Sequence, residues 1–234
     1  MIVPHEQVLR RAVWIIVDEC ITYFTFLRDS LRDIENEIGK REDRENIINN
    51  DSFWRSFVSK AISTRNIETQ LWDFKETLTM WHAQKGDARR AAKVTFAEDV
   101  ASFANADGGC LIVGVGNGRE VVGIAGTDSE KEARIKSAHD ALTEHLQYPR
   151  TIYHLKQVLI PDNSGVEKLC LIVAVARACE AVAVKDWAGR YTYPVRHGTG
   201  TAKGDVEKLR QIRRHDKNDN FDFLAVLKQF VRDN

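Results

Sequence analysis

Apolar residues in the opening segment recur every three or four positions: Leu9, Val13, Ile16, Cys20, Phe24, Leu27, Leu31, Ile34 and Ile38. That spacing lines one face of a long amphipathic helix, with Gly39 as its stop. A polar connection, K-R-E-D-R-E-N-I-I-N-N-D, leads to a shorter helix. Asp51 or Ser52 is its expected N-cap, and Phe53, Trp54, Phe57 and Val58 form its apolar side. So rich a stripe has to be covered by the following domain, by a second copy, or by both.

From residue 66 the period changes. Q-L-W-D-F-K-E alternates, placing Leu71, Asp73 and Lys75 on one strand face and Trp72 and Phe74 on the other. The stretch T-L-T-M-W-H-A-Q-K-G-D reads as a loop, and residues 88–105 as a helix turning Ala92, Phe96, Val100 and Phe103 inward. Cys110 to Val115 and Glu120 to Ile124 predict a hairpin around Asn117-Gly118, where asparagine suits a turn needing positive φ. A charged amphipathic helix is expected over 129–147. Strands 152–160 and 167–176 flank a turn at 161–165, and a short pair, Ala181–Val184 with Tyr191–Val195, flanks D-W-A-G. A basic helix (205–214) and an amphipathic one (222–232) close the chain. This order predicts an α+β fold, a mixed sheet with flanking helices. A helical region, residues 1–62, precedes the main domain, 63–234.

Composition narrows the class. The 234 residues hold 34 basic and 34 acidic side chains, so whole-chain charge predicts no partner and any pull on nucleic acid must be local. The four cysteines, Cys20, Cys110, Cys170 and Cys179, are scattered without a C-x-x-C pair, as buried thiols in a reducing compartment would be. The N-terminus lacks a basic region before an apolar one, and the apolar run 13–27 is interrupted by Asp18-Glu19. A bilayer span needs ~20 apolar residues. A cytoplasmic protein without membrane association is therefore expected.

Candidate chemistry gathers around the first strand. Glu68 precedes it, and Asp73 and Lys75 share one of its faces, although acids are unfavourable in mid-strand. An ion pair would explain them. So would a site for Mg²⁺ or Mn²⁺, which take carboxylate oxygens and can stabilise charge on a phosphodiester, with Lys75 assisting. The run G-V-G-N-G leads into a strand rather than a helix N-terminus, so it does not read as a phosphate loop. His82, His139, His145 and His154 show no ligand spacing. Arg196 and His197, within P-V-R-H-G-T-G-T, suit phosphate or ribose contacts. Lys203, Lys208, Arg210, Arg213, Arg214 and Lys217 form the clearest positive patch, a solvated face or a phosphate track. Lys85, Arg89, Arg90 and Lys93 make a second, weaker cluster.

Together E-T-Q-L-W-D-F-K, D-V-A-S-F-A-N-A-D-G-G-C-L-I-V-G-V, the following V-V-G-I and R-Y-T-Y-P-V-R-H-G-T-G-T resemble the Schlafen family, AlbA-like domain, over about residues 66 to 212. The resemblance implies nucleic-acid binding and, as in some members, metal-dependent cleavage of transfer or ribosomal RNA by three acids. By position these are Glu68, Asp73 where the family usually has Glu, and Asn117 where it usually has Asp. Glu68, Asp73 and Asn117 would hold Mg²⁺ or Mn²⁺. Arg196, His197, Lys203, Arg210, Arg213 and Arg214 would hold RNA, with tRNA expected, or DNA. The neutral Asn117 lowers the expected metal affinity and leaves a non-catalytic, regulatory binding module as the alternative. The vertebrate members' zinc-binding His/Cys set is not evident. Since those members fold two lobes into a groove, this single lobe is expected to act as a homodimer.

Overall fold

The computed structural model describes residues 46–63, 71–147, 152–178, 180–197 and 200–204. The long stripe from Leu9 to Ile38, Glu68, Cys179 and the helices expected at 205–214 and 222–232 lie outside the described residues. The chain divides into two units, Met1–Ile47 and Ile48–Asn234, and all elements named below belong to the second.

Helix α1 (Asp51–Ser63) buries Trp54, Phe57, Val58 and Ala61, close to the expected side. Its N-cap is Asn50 rather than Asp51 or Ser52, because Asn50 Oδ1 accepts the Phe53 amide at 3.0 Å. Strand β1 (Trp72–Lys75) follows. The segment read as a loop contains a short helix, α2 (Thr79–His82), and Leu78 and Met80 enter the core there. Helix α3 (Asp87–Ala104) buries Ala92, Phe96, Val100 and Phe103, the predicted inward set.

Strand β2 (Gly109–Val113) pairs parallel to β1, which the intervening crossover through α2 and α3 makes possible. Helix α4 (Asp128–His145) starts with a capping box in which Thr127 and Glu130 satisfy each other's amides. After the short β3 (Leu146–Gln147), strands β4 (Tyr153–Pro161) and β5 (Glu167–Val175) form an antiparallel pair across the predicted turn. The main sheet runs β1-β2-β5-β4. Its central strands, G-C-L-I-V and the apolar half of E-K-L-C-L-I-V-A-V, are buried on both faces, as strands covered on two sides should be.

The two faces have different covers. Leu111, Val113, Leu171, Val173 and Val175 join Phe96, Val100 and Phe103 of α3 and Leu142 of α4 in one core. Trp72 meets Phe57 of α1, edge to face at 5.5 Å. Register sets Asp73 opposite Leu111 and Lys75 opposite Val113, so the first strand's two charges lie on the α3 side.

The expected hairpin after β2 is reduced to one bridge, Val115 with Val121. Gly114, at φ 107°, turns the chain, and a Cβ there would stand 3.1 Å from Gly123 Cα. The amides of Val122 and Gly123 both donate to Gly114 O at 2.9 Å, and Ile124 continues to Leu169 O of β5 at 2.7 Å. Arg119, at φ 64°, takes the left-handed position rather than Asn117.

Beyond β5, β6 (Ala183–Lys185) and β7 (Tyr191–Thr192) pair around D-W-A-G as expected and join β3 in a second small sheet. The strand expected over Tyr191–Val195 stops at Thr192, however, and Pro194 and Val195 enter a separate ribbon. A ribbon of β8 (Pro194–His197) and β9 (Gly200–Lys203) completes the described fold, an α+β domain.

Candidate functional site

The helix-facing side of β1 meets α3 and the β8–β9 ribbon at a cluster of opposed charges. Asp73 is 5 % exposed and sits between two cations. Lys75 Nζ lies 3.3 Å from Asp73 Oδ2, and Arg196 Nη1 lies 3.7 Å from the same oxygen. Lys75 also approaches Asp99 Oδ2 of α3 at 3.8 Å. Asp99 was not apparent in the sequence, because only the tertiary register of α3 brings it beside β1. Thr201 of β9 donates to Asp99 Oδ1 at 3.4 Å and bonds Ser102 Oγ at 3.3 Å, which ties the ribbon to the helix.

Arg196, expected at a phosphate-binding surface, is instead 2 % exposed. Its guanidinium carbon stands 4.3 Å from the centre of the Phe103 ring, a cation–π contact, and Nη2 donates to Trp72 O at 3.4 Å. β8 therefore delivers a buried cation to the underside of β1, and Asp73 is its counter-charge.

Burial raises the Asp99 pKa above the ordinary carboxylate value, opposed by Lys75 and reinforced by Asp73. Burial pulls Lys75 down, but the carboxylates of Asp99 and Asp73 outweigh it and leave its pKa raised. Lys75 is thus held as a cation, and Asp99 keeps its proton to higher pH than an ordinary aspartate.

Asn105, in F-A-N-A-D-G-G, organises the neighbouring backbone. Its Nδ2 donates to both Val182 O and Pro194 O at 2.8 Å, and its Oδ1 accepts the Val182 amide at 2.7 Å. One buried amide thereby joins the segment entering β6 to the start of β8. Glycines finish the motif. The Gly108 amide closes the end of α3 on Phe103 O at 2.9 Å, and a Cβ on Gly109 would meet the Phe103 ring at 2.5 Å.

Comparison with known proteins matches residues 68–203 to the family described as Schlafen, AlbA_2. The chain belongs to this Schlafen family. Membership points to nucleic-acid binding. None of the curated proteins matches the chain significantly. Among solved structures, the crystal structure of the DIP2311 protein from Corynebacterium diphtheriae is similar, at 22% identity and a TM-score of 0.47. The similarity covers 74% of this chain and 34% of that one, so this chain spans about a third of that protein.

In this Schlafen domain the three positions implied as metal ligands are differently placed. Glu68 lies outside the described residues. Asp73 is buried against Lys75 and Arg196. Asn117 is exposed in the turn beyond β2, where the Glu120 carboxylate lies against Gly116 and Gly118. Among the described residues, no group of three or more His, Cys, Asp or Glu side chains could hold a metal ion. A divalent cation at Asp73 would confront two positive charges, and Asn117 would add no negative one. The described residues alone do not fit Mg²⁺ or Mn²⁺.

Of the proposed nucleic-acid contacts, Arg210, Arg213 and Arg214 lie outside the described residues, and His197 and Lys203 are located only by their places on β8 and β9. The weaker cluster is assembled. Lys85, Arg89, Arg90 and Lys93 line an open cleft of about 390 Å³ at the start of α3, with Ser137 and Asp140 of α4. Lys93 is paired with Glu144 at 2.9 Å and Arg90 with Asp87 at 3.5 Å, which leaves Lys85 and Arg89 as its less committed charges. Cys110 and Cys170 are free and buried, and burial pushes the Cys170 thiol up to about 12. Both are inert packing groups.

Proposed function

We propose that this protein binds nucleic acid, RNA by preference, through local cationic surface on a Schlafen domain, and that the Asp73 cluster serves to hold that domain in shape. The observation that carries the reading is the family match across residues 68–203. The cleft lined by Lys85 and Arg89 supplies phosphate-compatible charge on a chain whose net charge is zero. Asp73, Lys75, Asp99 and Arg196 balance one another, which suits a structural clamp. The test is equilibrium binding of the purified protein to a transfer RNA, a single-stranded RNA and a DNA duplex over a salt series. Salt-sensitive binding that favours RNA supports the reading, and absence of binding to all three at low salt rejects it.

A second reading is a metal-dependent endoribonuclease acting on tRNA or another structured RNA. One observation favours it: Asp73 and Lys75 share a strand face with Asp99 close by, an Asp-x-Lys pattern beside a further carboxylate. That reading requires Glu68 to supply the missing charge. Incubation with total RNA, with and without Mg²⁺ or Mn²⁺, decides it. Metal-dependent fragments that Glu68→Ala abolishes establish cleavage, and intact RNA under both metals excludes it. If the wild type is inactive, gain of cleavage in Asn117→Asp would identify a site that has lost its third acid. A homodimer is part of the same proposal, with sedimentation in solution as its test.

A further inference from the structure

The turn between β6 and β7 is built with more care than a simple reversal needs. Asp186 Oδ1 accepts the amides of Ala188 and Arg190, both at 2.8 Å, and its Oδ2 is 2.7 Å from Arg190 Nε. Its backbone amide donates to Arg190 O at 2.8 Å, and Gly189, at φ 81°, takes the left-handed position. Asp186 and Gly189 therefore satisfy the whole turn chemistry. Trp187, between them, contributes nothing to it and stands 59% exposed.

Tyr191, the first residue of β7, is 51% exposed. Among the described residues, no other Phe, Trp or Tyr side chain is as exposed as Trp187 and Tyr191, and these two fall on one hairpin. Isolated exposed apolar residues are ordinary, but an exposed tryptophan and tyrosine on one rigid reversal are not. Register places Lys185 directly across from Tyr191, so an exposed cation shares that face. Arg190, at the end of the turn, is committed to Asp186. The opposite face, Val184 and Thr192, is turned inward, and Thr192 donates to Glu98 Oε1 of α3 at 3.0 Å. Asn105 fixes both ends of the segment, at Val182 and Pro194. The hairpin is thus held to the helix that carries Asp99.

We propose that the β6–β7 hairpin is a stacking platform for unpaired nucleobases, with Trp187 and Tyr191 offering ring faces and Lys185 attracting a flanking phosphate. This deepens, and rests on, the nucleic-acid-binding reading. Two aromatic rings and a cation on a preformed turn match how single strands are held: stacking tolerates every base, and the charge meets the backbone. The interior and grooves of a duplex offer such rings no free base face. The platform therefore selects unpaired nucleotides in loops, bulges or single strands.

The experiment compares wild type, Trp187→Ala and Trp187→Phe on a labelled single-stranded oligoribonucleotide and on a fully paired RNA of equal length. Thermal midpoints and sedimentation are recorded for each protein. Trp187→Ala should weaken single-strand binding by roughly 5- to 150-fold, the loss of one stacked base. Trp187→Phe should retain most of the affinity, while duplex binding, the salt slope and the thermal midpoint stay unchanged. Wild-type affinity of Trp187→Ala for the single strand overturns the platform but leaves nucleic-acid binding intact. Equal weakening on single strand and duplex also overturns it. A variant that binds RNA normally but changes its oligomeric state reassigns the hairpin to self-association. A wild type that binds neither RNA rejects the parent reading, and the platform falls with it.

Discussion

At the scale of single residues, Asp73 and Arg196 are a buried pair that neither partner can leave without harm. Arg196 is almost fully enclosed, with Phe103, Trp72 O and Asp73 around its guanidinium. Removing one member of such a pair typically costs about 3–5 kcal/mol, while replacing both by groups of similar volume is often close to neutral. Asp73→Asn and Arg196→Met should each lower the denaturant midpoint markedly, and the double variant should recover much of the loss. Near-additive losses in that cycle would show that the two side chains are not coupled. Any activity assay on an Asp73 variant therefore needs a stability measurement beside it. Asp99 has a different signature. Its folded pKa is raised, so the unfolded chain releases the proton first as pH climbs, and wild type loses stability as pH rises from the ordinary 3.8 through the raised value. Asp99→Asn has no proton to lose there. The stability of wild type relative to Asp99→Asn should fall across that window, and a flat difference would place Asp99 in a water-like setting.

At the scale of elements, what could be read from the sequence depended on how far apart the deciding contacts lie. The inward face of α3 and the β4–β5 reversal follow from local period and turn chemistry, and both formed as expected. The pairing of β2 did not follow. Two apolar runs around Asn117-Gly118 satisfy the local rule for a hairpin, yet Gly114 turns the chain and gives β2 to β1 and β5 instead. Arg196 was misplaced for the same reason, since a basic residue in a polar-looking tail gives no sign of a Phe103 ring waiting beneath it. Asn105 could have been noticed as an amide inside an otherwise apolar and small-residue motif. Its three hydrogen bonds span both ends of the β6–β7 segment, a non-local task invisible to period analysis. Asn105→Ala leaves the buried Val182 amide and two carbonyls without it, and each unsatisfied group costs about 1–3 kcal/mol. The variant should lose stability and show faster hydrogen exchange at Val182 and through β6 and β7, with α4 protected to the global limit. Uniform loss across the domain would mean the clamp is not local.

At the scale of the whole molecule, charge is the organising constraint. Equal numbers of acidic and basic residues give no long-range pull on a polyanion, and charges farther apart than ~10 Å are screened at 0.1 M salt. Affinity for RNA must then come from a few cations presented together. In the described part of the domain, the cleft at the start of α3 does this, because Lys93 and Arg90 have carboxylate partners while Lys85 and Arg89 are less constrained. Each phosphate contact contributes a slope of about −0.7 for single strands or −0.9 for duplex in log affinity against log salt. Lys85→Ala with Arg89→Ala should therefore flatten the salt dependence of RNA binding by about 1.5, whatever the base sequence. Trp187→Ala should instead lower affinity for unpaired RNA at every salt concentration and leave the slope unchanged. Lys168→Ala, which removes a cation engaged with Asp162 at the β4–β5 turn, serves as the charge control and should alter neither. If the Lys85/Arg89 variant keeps the wild-type slope, phosphates are not held at this cleft, and the cations that hold them belong to another surface.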